Sequence, residues 1–184
     1  KFVLPAPYYS RSFAFDVGRS GGIAGAAHLR VVVTDSVGLE GGERGARRFA
    51  EDLDPRYTSS AASREQWSWI ASKLGATRDA RRASKRDGAF TLVVGHRPIL
   101  SLAARSRTEP ELAVGARLEA LLQAEYAANL YIGGHDHTMQ HFKLEQSSQR
   151  KTALHAIVNG VGGFNLHPFA PAVAHDGIAE AGRR

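Results

Sequence analysis

The chain has 184 residues, 43% of them hydrophobic and 23% charged, which fits one globular domain or a large part of one. It contains no cysteine, which excludes disulfides, thiolate nucleophiles and thiolate metal sites. The net charge of +6 favours the binding of anions such as phosphate esters. The arginine-rich stretches lack the interleaved aromatic residues of nucleic-acid-binding proteins, so no nucleic-acid partner is expected. No apolar run approaches the roughly 18 residues of a membrane span, so none is expected.

The first half of the chain predicts two strands followed by a long connection. The stretch "YSRSFAFDV" at 9–17 alternates in polarity as a strand does, and "HLRVVVTDS" at 28–36 is a β-branched run typical of a strand buried on both faces. Residues 37–62 are rich in Gly, Arg and Ser, which predicts a long irregular loop.

The stretch "SREQWSWIASKLG" predicts a helix with defined ends. Ser63 is expected to cap its first turn, Gln66 to complete a capping box, and Gly75 to end it. Its apolar positions recur at helical spacing, which predicts one buried stripe of Trp67, Ile70, Ala71 and Leu74.

The second half alternates between predicted strands and one predicted helix. In chain order these are the strand "FTLVV" at 90–94, the helix "EPELAVGARLEALLQAEYA" at 109–127, and the strands "NLYIGG" at 129–134, "HFKLE" at 141–145 and "LHAIVNG" at 154–160. The alternation indicates an α/β fold. In such folds ligands bind at the carboxyl ends of strands, where two histidine-containing stretches are expected to lie.

Three histidines follow apolar runs that end in glycine. His96 comes after "FTLVVG", and His135 and His137 come after "LYIGG". Neutral imidazole is a common metal ligand, and positions two apart in extended backbone face the same side, which predicts a metal site formed by these three. Asp136 is positioned to orient one imidazole by a hydrogen bond. The alternative to a metal site is a set of hydrogen-bonded loop histidines. His141 is not favoured as a metal ligand.

Several stretches resemble the calcineurin-like metallophosphoesterases, above all the purple, or tartrate-resistant, acid phosphatases. "VVGHRP", "YIGGHDH" and "HAIVNGVGGFN" resemble, in that order, the closing motifs of this family. "PAPYYSRSFAFD", "VVVTDS" and "REQWSWIASKL" resemble further segments of the acid phosphatases, so the similarity runs over roughly residues 5–166. The resemblance implies an α-β-β-α sandwich and metal-dependent hydrolysis of phosphate monoesters.

The resemblance also implies roles for individual residues at a dinuclear metal centre. His96 and His135 would bind the second metal and His137 the first. The first metal would be ferric iron and the second iron, zinc or manganese. Arg97 stands where the family has tyrosine or histidine, so it either binds the substrate phosphate or points to solvent, and the solvent-facing interpretation is preferred.

The family's early motifs D-x-H, G-D-x-x-Y and G-N-H are absent from the chain. The resemblance therefore implies that residues 1–167 are the C-terminal portion of the domain, without its N-terminal strands, and that 168–184 form an irregular Pro- and Ala-rich tail. We expect at most one weakly held ion, dependence on the missing segment, and an isolated chain that is inactive or impaired. A non-catalytic remnant or interaction module and a mononuclear three-histidine hydrolase are the alternatives. The family resemblance allows a secretory or lysosomal location, which the residues themselves do not assign.

Overall fold

A computed structural model describes residues 7–17, 25–40, 59–83, 89–103, 109–124, 127–145, 153–162 and 165–168. Its elements in chain order are β1 (Tyr9–Val17), β2 (Gly25–Val33), α1 (Ser36–Leu39), α2 (Ser60–Ala83), β3 (Ala89–Val94), α3 (Glu109–Gln123), β4 (Leu130–Gly133), β5 (Met139–Glu145) and β6 (Ala153–Asn159). Within the described ranges, no helix combines the length and the apolar character needed to cross a bilayer.

The described strands form one mixed sheet in the order β1-β2-β3-β4-β6-β5. Strands β2, β3, β4 and β6 are mutually parallel, and β1 and β5 pair antiparallel at the two edges. Because the parallel strands point the same way, the segments that follow β3, β4 and β6 lie along one edge of the sheet. The predicted α/β class is confirmed, and both histidine motifs lie at carboxyl ends of strands.

One face of the sheet packs against the two long helices. Alternate residues of β4 and β6 are buried, as the two-residue period of a strand requires. The core joins Val32, Val93, Tyr131 and Val158 of the sheet to Trp67, Ile70 and Leu74 of α2 and Leu118 and Leu122 of α3. Burying each large apolar side chain contributes about 1.5–3 kcal/mol, so this face holds most of the stabilising contacts.

The opposite face of the sheet exposes several large apolar side chains. Phe13, Leu29 and Phe90 are register partners on three adjacent strands, so their side chains lie on this one face. Phe13 and Phe90 are 47% and 44% exposed, and Met139 on β5 is 58% exposed. Val32 of β2 is buried on the helix side. Leu29, Val31 and Val33 of the same strand are only partly buried, so the prediction of a strand buried on both faces is wrong.

Helix α2 differs from its sequence-based prediction at both ends. It begins three residues before Ser63 and continues past Gly75 to Ala83. The hydroxyl of Ser63 does not cap it but donates to the carbonyl of Leu39 at 3.1 Å. A side chain at Gly75 would meet only the end of an arginine, and a single glycine costs about 1 kcal/mol in a helix, which the flanking turns outweigh.

The predicted capping residue Gln66 instead joins α2 to the end of β2. Its side-chain oxygen accepts from the backbone N–H of Asp35 at 2.8 Å, and its side-chain nitrogen donates to the carbonyl of Asp35 at 3.1 Å. Asp35 caps α1 by accepting from the N–H of Gly38 at 3.0 Å. The predicted loop at 37–62 is therefore helical at both of its ends, and residues 41–58 lie outside the described part. Ala71, predicted to be buried, is exposed.

Candidate functional site

A cleft of about 650 Å³ opens where β3, β4 and β6 end. The three histidines predicted as metal ligands all line it, each placed by the loop after a parallel strand. Its lining residues are His96, Gly134, His135, His137, Asn159, Gly160, Gly162 and His167. The site is thus built from segments far apart in sequence that the parallel strands bring to one edge.

His96 and His135 are in direct contact. Nε2 of His96 lies 2.9 Å from Nδ1 of His135, and the two rings meet edge to face with centroids 4.8 Å apart. Nε2 of His135 contacts the Arg97 guanidinium and lies 3.4 Å from Glu111, which can accept from an Nε2–H. A hydrogen bond joins the two rings, and a cation held by both would replace the proton of that bond.

The backbone at His135 is in the left-handed region, with φ of 64°. Few residues other than glycine adopt this conformation, and histidine does so more readily than branched side chains. Such conformations cost free energy and concentrate at ligand sites, because surrounding contacts have to hold them. The turn after β4 thus positions His135 toward His96 at a local energetic cost.

His137 is oriented by the segment that follows β6. Its Nδ1 donates to the carbonyl of Asn165 at 2.6 Å, so its Nε2 keeps a lone pair. A backbone carbonyl that accepts from one ring nitrogen is the usual partner of a metal-binding histidine. His137 therefore has the tautomer that metal binding through Nε2 requires.

Arg97 is buried, so the preferred interpretation that it points to solvent is wrong. Its side chain is 10% exposed and its Nε donates to Glu40 at 2.7 Å. Another guanidinium nitrogen contacts Glu111, which also lies 3.4 Å from Nε2 of His135. Two carboxylates against one guanidinium leave this cluster with an excess of negative charge beside His135, which favours a cation there. A contact of Arg97 with substrate phosphate stays a prediction.

Asp136 lies inside the turn between the two cleft histidines and is 1% exposed. Its N–H donates to the carbonyl of Gly134 and its carbonyl accepts from Thr138, both at 2.7 Å. A Cβ at Gly160 would come within 2.7 Å of the Asp136 carbonyl carbon, so the turn packs directly on the end of β6. The predicted role of Asp136 in orienting an imidazole stays a prediction.

His167 was not predicted as a site residue. It lies in the segment after β6, its N–H donates to the carbonyl of His137 at 3.0 Å, and its ring stacks on the His137 ring at 4.6 Å and 11°. No motif surrounds it in the sequence, so only the fold brings it to the cleft. His141 and His155 instead pair with each other on the sheet, at 2.8 Å, outside this cleft.

The histidines fit part of a metal-ligand set. Ions such as zinc bind imidazole nitrogen at about 2.0–2.1 Å, which places two ligands of a tetrahedral site about 3.3 Å apart. His96 and His135 need to separate only slightly from 2.9 Å to reach this spacing. Among the described residues, however, no group of three or more His, Asp or Glu is arranged to hold an ion. The residues present therefore fit a metal ion held by the pair His96 and His135, with His137 as a separate ligand.

The chain is similar in sequence to proteins named acid phosphatases. No family model matches the chain. It is 28% identical over 172 residues to the tartrate-resistant acid phosphatase type 5 of Rattus norvegicus and 27% identical to that of Mus musculus. These matches cover 94% of this chain and 42% of each relative, so the chain spans less than half the length of the curated relatives. The similarity supports a metallophosphoesterase-like family.

Among solved structures, the chain is similar to a dimetal phosphatase from Danio rerio. The TM-score is 0.48 and the sequence identity 17%, over 84% of this chain and 50% of the other.

Proposed function

We propose that this chain carries the histidine side of a metal-dependent site that hydrolyses phosphate monoesters. The observation that carries the proposal is the convergence of His96, His135 and His137 on one cleft at the carboxyl ends of parallel strands. The similarity to proteins named acid phosphatases supports the reaction class.

In this proposal the histidines divide between two ions. His96 and His135 would hold one ion, and His137 would hold the other through Nε2. Iron paired with iron, zinc or manganese is the metal pair that we propose. When bound, such a pair supplies Lewis acidity and a water of lowered pKa.

The chain's own residues orient these ligands. The carbonyl of Asn165 fixes the tautomer of His137, and the ion pair of Arg97 with Glu111 lies against Nε2 of His135. Glu40 and Glu111 hold the Arg97 guanidinium in place. The net charge of +6 attracts an anionic ester toward the protein.

The proposal includes a requirement for further polypeptide. Among the described residues, no group of three or more His, Asp or Glu is arranged to hold an ion, and Phe13, Phe90 and Met139 are exposed on one face of the sheet. Exposed apolar patches of this kind mark surfaces that other protein covers. We propose that residues 1–167 act as one part of a larger phosphatase domain, with 168–184 as its tail, in a secretory or lysosomal location.

A non-catalytic module with the same fold is the competing proposal. The two are separated by hydrolysis of p-nitrophenyl phosphate in the presence of Fe, Zn or Mn, by the chain alone and in its full parent protein. We expect activity in the parent that falls at least 100-fold on His135→Ala or His137→Ala. The control is His141→Ala, which alters a histidine outside the cleft. Unchanged activity in both cleft variants, or a parent without activity, would favour the non-catalytic module.

A further inference from the structure

We propose that His167 binds the phosphate group of the substrate by donating a hydrogen bond from its Nε2–H. The inference rests on the proposed phosphatase function and adds a residue that lies outside the sequence motifs. His167 is half-buried and lines the same cleft as His96, His135 and His137. The proposal follows from the position of the single ring proton of His167.

The position of that proton is fixed by a backbone contact. The N–H of His137 donates to Nδ1 of His167 at 3.1 Å. A ring nitrogen that accepts a hydrogen bond has to offer its lone pair, and in neutral imidazole the proton is then on the other nitrogen. His167 therefore keeps Nε2 as a donor. This tautomer suits an anionic oxygen and does not suit a metal ion, which needs a lone pair.

The neighbouring ring has the opposite arrangement. Nδ1 of His137 donates to the carbonyl of Asn165, so its Nε2 carries the lone pair. The two rings are stacked with centroids 4.6 Å apart and planes inclined by only 11°. The cleft thus presents, side by side, one imidazole suited to a cation and one suited to an anion.

A purely structural role for His167 is the alternative, since it also anchors the turn at His137. Two substitutions separate the roles. His167→Asn places an amide oxygen near the position of Nδ1, which keeps the acceptor for the His137 N–H and removes the Nε2 donor. His167→Gln places an amide N–H near the position of Nε2, which keeps a donor toward the cleft. The control is His28→Asn, at an exposed histidine on β2.

The test is titration of the full chain with inorganic phosphate, followed by NMR of the imidazole nitrogens. In the wild type, we expect His167 to show the Nε2–H tautomer and its Nε2 signal to shift with phosphate, whereas His28 does not respond. We expect His167→Asn to weaken phosphate binding about tenfold, because a hydrogen bond to a charged group is lost. His167→Gln should recover most of the affinity.

Equal phosphate affinity in the wild type and His167→Asn would overturn the inference. So would a loss of affinity in His167→Asn accompanied by a changed His137 tautomer, because the effect would then come from the displaced turn. Absence of phosphate binding by the wild-type chain would overturn it as well. The proposed function is judged separately, by hydrolysis in the parent protein. A parent that hydrolyses esters equally well with His167→Asn retains the function and loses the inference.

Discussion

The buried ion pairs of Arg97 make a quantitative prediction about stability. The Arg97 side chain is 10% exposed and lies between Glu40 and Glu111, whose side chains are 7% and 3% exposed. Arg97→Met keeps a side chain of similar length but removes the guanidinium from between two buried carboxylates. Breaking a buried pair by removing one partner costs about 3–5 kcal/mol. For a chain of this size that corresponds to a melting temperature lower by roughly 6–20 °C.

The assay is thermal and urea unfolding followed by circular dichroism. The matched control is Arg78→Met, because Arg78 pairs with Asp79 at 2.9 Å but both side chains are exposed, at 36% and 63%. Such a surface pair contributes about 0–1 kcal/mol, so the control should unfold close to the wild type. Adding Glu111→Gln to Arg97→Met should recover part of the stability, because it removes one of the two carboxylates. Equal losses in Arg97→Met and Arg78→Met would refute the reasoning.

Two further substitutions test the packing of the cleft and the open sheet face. Gly160→Ala forces the Asp136 backbone away, since the added Cβ would lie 2.7 Å from its carbonyl carbon, whereas Gly162→Ala meets nothing within 4 Å. We expect Gly160→Ala alone to lower the phosphatase activity of the parent protein roughly tenfold or more. Equal activity in the two variants would contradict the close contact between Gly160 and the Asp136 backbone. Phe90→Ser should reduce binding of the dye ANS to the chain more than Leu112→Ser, a similarly exposed residue on α3. The opposite order would show that the sheet face is not the main apolar surface.

The sheet and the location of the cleft were predictable because their signals are local. Strand β1 was predicted at its observed bounds, 9–17, from alternation alone. The apolar runs before His96 and His135 are short and bounded by glycine, which gives both the strand and its end. Since parallel strands end at one edge, the sequence placed the histidine motifs together without knowledge of side-chain contacts.

The features that could not be predicted depend on distant contacts. Arg97 is buried by a carboxylate 57 residues away, at Glu40, and no local pattern reports such a pairing. Helix α2 passes through Gly75 because the cost of one glycine is small beside the packing of the turns around it. His167 lies in a segment without strand or helix periodicity, and its contact with His137 spans 30 residues.

The most direct test of the central claim is metal content per chain, measured by elemental analysis on the purified 184-residue protein after loading with zinc or iron. The account predicts at most one ion per chain, lost in His96→Ala and in His135→Ala and retained in the His28→Ala control. Loss of that one ion in His137→Ala as well would favour a mononuclear three-histidine site. Undiminished metal in both His96→Ala and His135→Ala, or two ions per chain in the wild type, would contradict the account.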